Sequence, residues 1–302
     1  MSDWIECSTL AEAEAVDAVA EVFGRFGQGV AIEEPIVSSP DGEQVRVLTD
    51  RPVLVKTYLP FDERTEERRR RLEEAIWHLG QIRQVQSLQT RPIAERDWAD
   101  AWKQHFFVHR VGQRIVIVPS WREFTPNEGD VVIHLDPGMA FGTGLHPTTR
   151  LCLQGLEETL RPGQDVLDLG TGSAILAIAA ARLGARSVLA LEIEPVAVRV
   201  ARENAARNEL ADRIQVQSGT LPLEAGETAR FDVVVANISF RVLSELAAEI
   251  RRVLRPGGRA LLSGVLEQDA PRLVEQLEAD GWRLVDQRSE ADWMLLSLTA
   301  LS

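Results

Sequence analysis

Apolar residues in the last two thirds of the chain fall into short runs separated by segments of helical spacing. The runs predict strands at 165–169, 187–192, 214–217, 231–236, 259–263, 282–287 and 293–298. The intervening segments predict helices at 147–160, 173–183, 195–208, 239–254 and 267–280. This alternation favours an α/β fold with a mostly parallel sheet that is covered on both faces. No helix separates the last two strands, so we expect them to form a terminal antiparallel hairpin.

The first third of the chain shows a different order of elements. Extended segments are predicted at 4–9, 29–37, 52–59 and 85–93, and helices at 11–26 and 63–79. A strand-helix-strand-strand-helix-strand order is typical of a ferredoxin-like α+β domain. Residues 68–71 are consecutive arginines, but the glutamates on both sides favour a solvated helix face with ion pairs over a nucleic-acid contact.

Large aromatic side chains are concentrated between these two regions, at Trp98, Trp102, Phe106, Phe107 and Trp121. Flexible linkers are poor in such residues, so we interpret 95–130 as a connector that packs between two domains. A strand at 114–120 is expected to lead out of it. The predicted organisation is an N-terminal domain at 1–94, the connector at 95–130 and the α/β domain at 131–302.

Two glycine-rich stretches, 136–149 and 166–172, indicate a binding site. The second ends a predicted strand and opens a predicted helix, and its Gly170 and Gly172 let the backbone approach a nucleotide-like ligand closely. Glu192 ends the next predicted strand, where a carboxylate can accept hydrogen bonds from ribose hydroxyls. Together these features predict a site for a ribose-containing cofactor.

The residues around the glycines favour one cofactor over another. A nicotinamide-binding loop has a third glycine where this chain has Ile175. Asp168 instead precedes the glycines in an Asp-x-Gly-x-Gly pattern, which resembles the first motif of class I S-adenosylmethionine methyltransferases. That resemblance implies that Asp168 engages the ammonium group of the cofactor through water. A nicotinamide-dependent oxidoreductase and a non-catalytic cofactor-binding assembly protein stay open as alternatives.

Three further regions resemble the bacterial methyltransferases that modify protein eleven of the large ribosomal subunit, the PrmA family. They are 135–149 (LDPGMAFGTGLHPTT), 235–238 (VANI) and, in the connector, 97–102 (DWADAW) with 119–121 (PSW). The resemblance implies a seven-stranded, Rossmann-like class I methyltransferase domain with S-adenosyl-L-methionine as cofactor. It also implies N-methylation of lysine side chains or α-amino groups of that ribosomal protein, which the ferredoxin-like domain would recognise. The chain departs from the family pattern at Leu145, Ala174 and Glu192.

The resemblance also implies roles for individual residues. Phe141 and Thr143 would lie over the methionine end of the cofactor, and Thr149 would hydrogen-bond to it. Asn237 would lie beside the same end and accept an N–H group of the substrate amine. Phe240 would form a wall of the amine pocket.

Each of these roles competes with a purely structural one. Asn237 has the residue type and position of an N-cap for the helix at 239–254, and Phe240 could belong to the helix core. The end of the first glycine-rich stretch fits a helix start with Pro147 at the first helical position. His146 is interpreted as a local hydrogen-bonding residue, because no histidine four residues away completes a metal-ligand pair.

No His–carboxylate pair in the sequence has the pattern of a general base, so we expect the substrate amine to lose its proton to water. For a lysine side chain, whose ordinary pKa is about 10.4, this deprotonation costs roughly 4.6 kcal/mol at pH 7. An α-amino group with a pKa near 8 costs only about 1.4 kcal/mol.

Composition restricts the partners of the chain. A net charge of −13 over 302 residues argues against direct nucleic-acid binding and suits a protein partner or a small molecule. Cys7 and Cys152 are the two cysteines, so neither a disulfide framework nor a metal site is indicated. The N-terminal residues lack a signal-peptide pattern, and no apolar run is long enough to span a membrane. We therefore expect a cytoplasmic monomer.

Overall fold

The computed structural model describes residues 4–27, 30–33, 35–38, 45–47, 51–93, 107–136, 144–223 and 229–301. The chain forms two compact units, Met1–Phe107 and Val108–Ser302. The boundary between them falls inside the predicted connector. In the described residues, no helix is long and apolar enough to cross a membrane.

The described residues of the first unit form a four-stranded antiparallel sheet and two helices, with a separate pair of short strands. Its elements are β1 (Trp4–Ala11), a 3-10 turn (Ala13–Ala15), α1 (Val16–Phe26), β2 (Val30–Glu33), β3 (Ile36–Ser38), β4 (Val45–Val47), β5 (Val53–Pro60), α2 (Thr65–Gly80) and β6 (Gln89–Ile93). The sheet order β2-β5-β1-β6 is the ferredoxin-like order that the element sequence predicts. Val19 and Phe23 of α1 share a buried core with Leu72 and Ile76 of α2.

The structure corrects one predicted strand of this unit and confirms the interpretation of the arginine run. The segment 29–37 forms two strands rather than one, because Pro35 lies between β2 and β3 and has no N–H to donate to a ladder. On α2, Arg69 forms ion pairs with Glu66 and Glu73, and Arg71 pairs with Glu67.

The second unit begins with a small sheet that precedes the main one. β7 (His109–Val111) and β8 (Ile115–Pro119) form an antiparallel hairpin, and β9 (Val131–Leu135) runs parallel to β8. Glu157 secures the hairpin turn, because its carboxylate accepts the backbone N–H groups of Gln113 and Arg114, each at 2.8 Å. Residues 109–119 of the predicted connector therefore belong to the second unit, while 94–106 lie outside the described residues.

The main sheet of the second unit has seven strands in the order β12-β11-β10-β13-β14-β16-β15. The strands and helices are α3 (Pro147–Thr159), β10 (Asp165–Leu169), α4 (Ile175–Arg182), β11 (Ser187–Glu192), α5 (Pro195–Arg207), β12 (Ile214–Ser218), β13 (Phe231–Asn237), α6 (Phe240–Val253), β14 (Leu254–Leu266), α7 (Ala270–Ala279), β15 (Trp282–Glu290) and β16 (Trp293–Ala300). β10 to β14 are parallel, and β16 pairs antiparallel with both β14 and β15. The predicted parallel sheet and terminal hairpin are confirmed.

Separate apolar cores cover the two faces of this sheet. One core contains residues of α3 and α4, among them Leu153 and Ile178, together with Ile133 of β9. The other contains residues of α6 and α7, among them Leu243 and Leu273. Because both faces are buried, we expect a binding site at the carboxyl ends of the strands, where open α/β sheets bind ligands.

Candidate functional site

A cavity of about 240 Å³ lies at the carboxyl ends of β10, β11 and β13. Its walls are mostly apolar side chains and glycine backbone. The lining residues are Thr149, Leu169, Gly170, Thr171, Gly172, Ile175, Leu176, Leu191, Glu192, Ile193, Gly219, Thr220, Asn237, Ile238, Val242 and Leu246. The predicted residues Thr149, Gly170, Gly172, Glu192 and Asn237 therefore line one cavity. Phe141 and Thr143 lie outside the described residues.

The loop between β10 and α4 needs its glycines for their backbone conformation. Gly170 has a φ of 74° and Gly172 a φ of 55°, both in the left-handed region that other residues rarely adopt. A Cβ atom on Gly170 would lie 2.5 Å from Cγ2 of Ile238. A side chain at this position would therefore collide with the protein itself.

Asp168 lies fully buried beneath the loop. Its Oδ2 atom accepts hydrogen bonds from the Thr171 hydroxyl at 2.5 Å and from the Ala177 amide at 3.0 Å. Burial raises the pKa of Asp168 to about 7, against the effect of these two donors. Asp168 is absent from the described lining of the cavity, so its visible role is to hold the loop and the first turn of α4. Its water-mediated contact with a ligand stays a prediction.

Glu192 is fixed by backbone N–H groups on both carboxylate oxygens. Oε2 accepts from Gly172 at 2.9 Å, and Oε1 accepts from Ile193 at 2.8 Å and Glu194 at 3.0 Å. A carboxylate has about four acceptor positions, so these bonds leave roughly one, on Oε2, for a ligand hydroxyl. Glu192 therefore joins the glycine loop to the end of β11 and can still bind a ribose.

Asn237 is the last residue of β13 and is half-buried at the cavity. Its Nδ2 atom donates to the hydroxyl of the buried Thr149 at 3.4 Å, a long hydrogen bond. The interpretation of Asn237 as an N-cap is wrong, because α6 begins at Phe240 and its N-cap is Ser239. With Nδ2 directed to Thr149, the Oδ1 atom of Asn237 makes no hydrogen bond to the described residues.

Phe240 begins α6 and packs against the core beneath that helix. The guanidinium carbon of Arg272 lies 5.4 Å from the centroid of its ring. Phe240 is not among the residues that line the described cavity. The structure thus gives it a packing role, and its part in an amine pocket stays a prediction.

The helix start after the first glycine-rich stretch has the predicted form. His146 is the N-cap of α3, its ring accepts the Thr148 amide at 3.3 Å, and Pro147 follows at the first helical position. The ring also makes an edge contact with Trp293, with centroids 5.0 Å apart. Burial, together with the smaller effect of the nearby Arg150 charge, lowers the pKa of His146 to about 4. His146 therefore stays neutral in the folded protein at pH 7.

Several residues of the cavity wall were not predicted from the sequence. Ile193 is 63% exposed although it is large and apolar, and Val242 and Leu246 stand one helical turn apart on α6. An apolar residue directly after the predicted ribose-binding carboxylate was an available signal for Ile193. The α6 residues carried no such signal, because an apolar residue at helical spacing is more often part of a core.

This set of residues fits a ribose-containing cofactor that lacks phosphate. Glu192 supplies an anionic acceptor, the apolar walls can enclose a flat ring, and the described lining residues include neither lysine nor arginine. Among those residues Glu192 is the one that is formally charged, which suits a ligand that carries a positive charge. Among the described residues, no group of histidine, cysteine, aspartate and glutamate side chains could hold a metal ion.

Comparisons with known proteins agree with this chemistry. The sequence model of a family described as ribosomal protein L11 methyltransferase (PrmA) matches residues 3–300. A ribosomal protein L11 methyltransferase from Chloroflexus aurantiacus is 47% identical over 292 residues, which cover 88% of this chain and 88% of that protein. One from Herpetosiphon aurantiacus is 44% identical over 285 residues, which cover 88% of this chain and 89% of that protein.

A crystal structure of ribosomal protein L11 methylase from Lactobacillus delbrueckii subsp. bulgaricus is also similar. Its TM-score is 0.58 at 32% sequence identity, and the match covers 65% of this chain and 100% of that one.

The sheet order, the glycine loop and the carboxylate at the end of β11 define a class I methyltransferase that uses S-adenosylmethionine. Neither an oxidoreductase nor a non-catalytic assembly protein is favoured by these comparisons. The chain belongs to the ribosomal protein L11 methyltransferase (PrmA) family.

Proposed function

We propose that the substrate is a large-subunit ribosomal protein, L11, and that the enzyme methylates its lysine side chains, its α-amino group or both. The names of the relatives motivate the choice of substrate. The observation that carries the choice of an amine is the position of Asn237. An amide oxygen at the end of β13, on the same cavity as Glu192, is an acceptor for N–H groups but not a base.

Bound S-adenosylmethionine would supply a methyl group that is already activated, so the protein has mainly to position the amine and exclude water. The amine must arrive as the neutral base, and we propose that its proton leaves to water as it enters the site. Oδ1 of Asn237 then accepts a remaining N–H group and directs the nitrogen lone pair at the methyl carbon. The carbon–nitrogen bond would then form as the carbon–sulfur bond broke, with neutral S-adenosylhomocysteine as the leaving group.

Thr149 assists by fixing the amide of Asn237. Because Nδ2 of Asn237 donates to the Thr149 hydroxyl, the opposite atom of the amide, Oδ1, is held in the acceptor position. Thr149 is 1% exposed and lies in the first turn of α3. Its hydroxyl is therefore held by the fold before any ligand binds, which is the arrangement that positioning of a reactant requires.

We further propose that the ferredoxin-like unit recognises the substrate protein. All the lining residues of the described cavity belong to the second unit. The first unit exposes large apolar side chains instead, with Phe61 64%, Trp77 60% and Ile82 78% accessible. Exposed apolar groups of this size suit contact with another protein. Arg69 and Arg71 of α2 are already in ion pairs with glutamates, so they do not favour a nucleic-acid partner for this unit.

The test compares Asn237→Ala with Ser239→Ala in methyl transfer to purified ribosomal protein L11. Ser239 is exposed and its side chain makes no capping hydrogen bond, so it serves as the control from the same loop. We expect Asn237→Ala to lower the single-turnover rate by about 10- to 1000-fold, because its contact is strongest in the transition state. The dissociation constant of S-adenosylhomocysteine should change by no more than a few-fold in both variants.

Two results would contradict the proposal. A wild-type enzyme that binds S-adenosylhomocysteine but transfers no methyl group to ribosomal protein L11 would refute the substrate. An Asn237→Ala enzyme with the wild-type single-turnover rate would remove Asn237 from the reaction.

A further inference from the structure

Two buried asparagines, Asn204 on α5 and Asn208 at the C-cap of that helix, face the open edge of β9. Asn204 is 0% exposed and Asn208 is 1% exposed. A buried amide is costly unless its donors and acceptors are hydrogen-bonded, so their partners explain why they are there.

Asn208 pairs with both backbone groups of His134 in β9. Its Oδ1 atom accepts the His134 N–H at 2.9 Å, and its Nδ2 atom donates to the His134 carbonyl at 2.6 Å. Nδ2 also donates to the Asn204 carbonyl of its own helix at 2.9 Å. The two bonds to His134 connect the C-terminal end of α5 with β9.

Asn204 makes the same pair of bonds two residues further along, with Asp136. Oδ1 accepts the Asp136 N–H at 3.0 Å, and Nδ2 donates to the Asp136 carbonyl at 2.9 Å. Nδ2 also donates to the carbonyl of Ser173 at 3.0 Å. This last bond links Asn204 to the glycine loop, and Asn208 makes no equivalent bond.

Helix and strand geometry explain why two asparagines can complete a strand edge. Four residues of helix rise about 6.0 Å, and two residues of strand advance about 6.6 Å. Asn204 and Asn208 therefore meet Asp136 and His134 in register. The side of β9 that carries these groups faces away from β8, which pairs with the alternate residues.

We propose that Asn204 is a positioning residue for the cofactor site. It joins two segments through one amide: Asp136, where the 135–149 motif begins, and Ser173, next to Gly172. The Gly172 amide in turn donates to Glu192 at 2.9 Å, so Asn204 and the proposed ribose-binding carboxylate are hydrogen-bonded to adjacent residues of the glycine loop. Asn208 has no such connection to the glycine loop, so its role is only to stabilise the fold. The inference rests on the assignment of this cavity as the cofactor site.

The experiment compares Asn204→Leu with Asn208→Leu in the full-length enzyme. Leucine has a similar size but leaves the strand groups unpaired, so both variants are expected to lower the melting temperature. Affinity for S-adenosylhomocysteine is then measured by titration calorimetry at a temperature well below both melting temperatures. We expect the dissociation constant to rise about tenfold or more for Asn204→Leu and to stay within about twofold of wild type for Asn208→Leu.

A second pair, Asn204→Asp and Asn208→Asp, applies if a leucine variant does not fold. Aspartate keeps the Oδ1 acceptor and loses the Nδ2 donor, so only the position 204 variant loses a bond to the glycine loop. The KM for S-adenosylmethionine should rise for Asn204→Asp while kcat at saturation falls less.

Equal losses of affinity at the two positions, or no loss at position 204, would overturn the proposal and leave Asn204 a structural residue. The readout is binding of S-adenosylhomocysteine rather than methylation of a protein. It therefore stays informative even if ribosomal protein L11 proves not to be the substrate.

Discussion

At the scale of single residues, Glu192 has a structural role beside the ribose-binding role that is predicted for it. Its carboxylate accepts three backbone N–H groups, from Gly172, Ile193 and Glu194, which hold the glycine loop against the end of β11. The acceptor position that remains points to a single strong ribose hydrogen bond rather than two. Removal of this side chain should therefore affect folding as well as binding.

We expect Glu192→Ala to weaken binding of S-adenosylhomocysteine by about 1–3 kcal/mol, because a hydrogen bond to a charged acceptor is lost. The same variant should lose roughly 1–3 kcal/mol of stability, since three loop amides lose their acceptor. Titration calorimetry and chemical unfolding measure the two effects separately. Wild-type affinity in a destabilised Glu192→Ala protein would show that the ribose lies elsewhere.

Protonation of His146 makes the stability of the protein depend on pH, and protonation of Asp168 acts in the opposite direction. Its pKa is lowered to about 4 by burial, whereas the unfolded side chain titrates near 6.5. Between these values the unfolded chain binds more protons, so the stability from His146 is lost as the pH falls from about 6.5 to 4. Asp168, whose pKa is raised to about 7, has the opposite effect, since its protonated form favours the folded state in that range.

The two contributions separate when wild type is compared with His146→Asn, which keeps a capping side chain. Between pH 6.5 and 4 the wild type should lose up to about 3 kcal/mol of stability relative to the variant, while the Asp168 effect cancels. Chemical unfolding at several pH values measures this difference. Parallel pH profiles for the two proteins would mean that the pKa of His146 is the same in the folded and the unfolded state.

At the scale of elements, hydrophobic periodicity predicted the order of the strands and helices from α3 to β16, but it missed β4, β7 and β9 and merged β2 with β3. It failed where a single residue or a distant contact decides the outcome. Ala174 takes the left-handed conformation, with a φ of 67°, and serves as the N-cap of α4. That conformation is uncommon for alanine, so the predicted helix at 173–183 began two residues too early.

Only those site residues that belong to a local sequence motif could be predicted from the sequence. Glycine and acidic residues at fixed spacing predicted Gly170, Gly172 and Glu192, because the motif reflects the chemistry of one loop. Asn204 carried no comparable signal, since a polar residue on an amphipathic helix normally faces solvent. Its partners lie 68 and 31 residues away in the chain, and only the folded structure brings them together.

At the scale of the whole molecule, all the described cavity residues belong to the second unit. A fragment that begins at Asp97 should therefore bind S-adenosylhomocysteine within a few-fold of the full-length affinity. It should lose most of its activity on ribosomal protein L11, because the proposed recognition unit is missing. Calorimetry and a methylation assay on the same preparation test both statements, and full activity of the fragment would refute the recognition role.

The pairing of Asn204 and Asn208 with β9 should also restrict which substitutions accumulate during evolution. β9 contributes only backbone atoms to these bonds, from His134 and Asp136. Substitutions at positions 134 and 136 leave that pairing intact, whereas substitutions at 204 and 208 break it. Among homologues, positions 204 and 208 should accordingly tolerate few replacements, while position 134, which contributes only its backbone, varies freely.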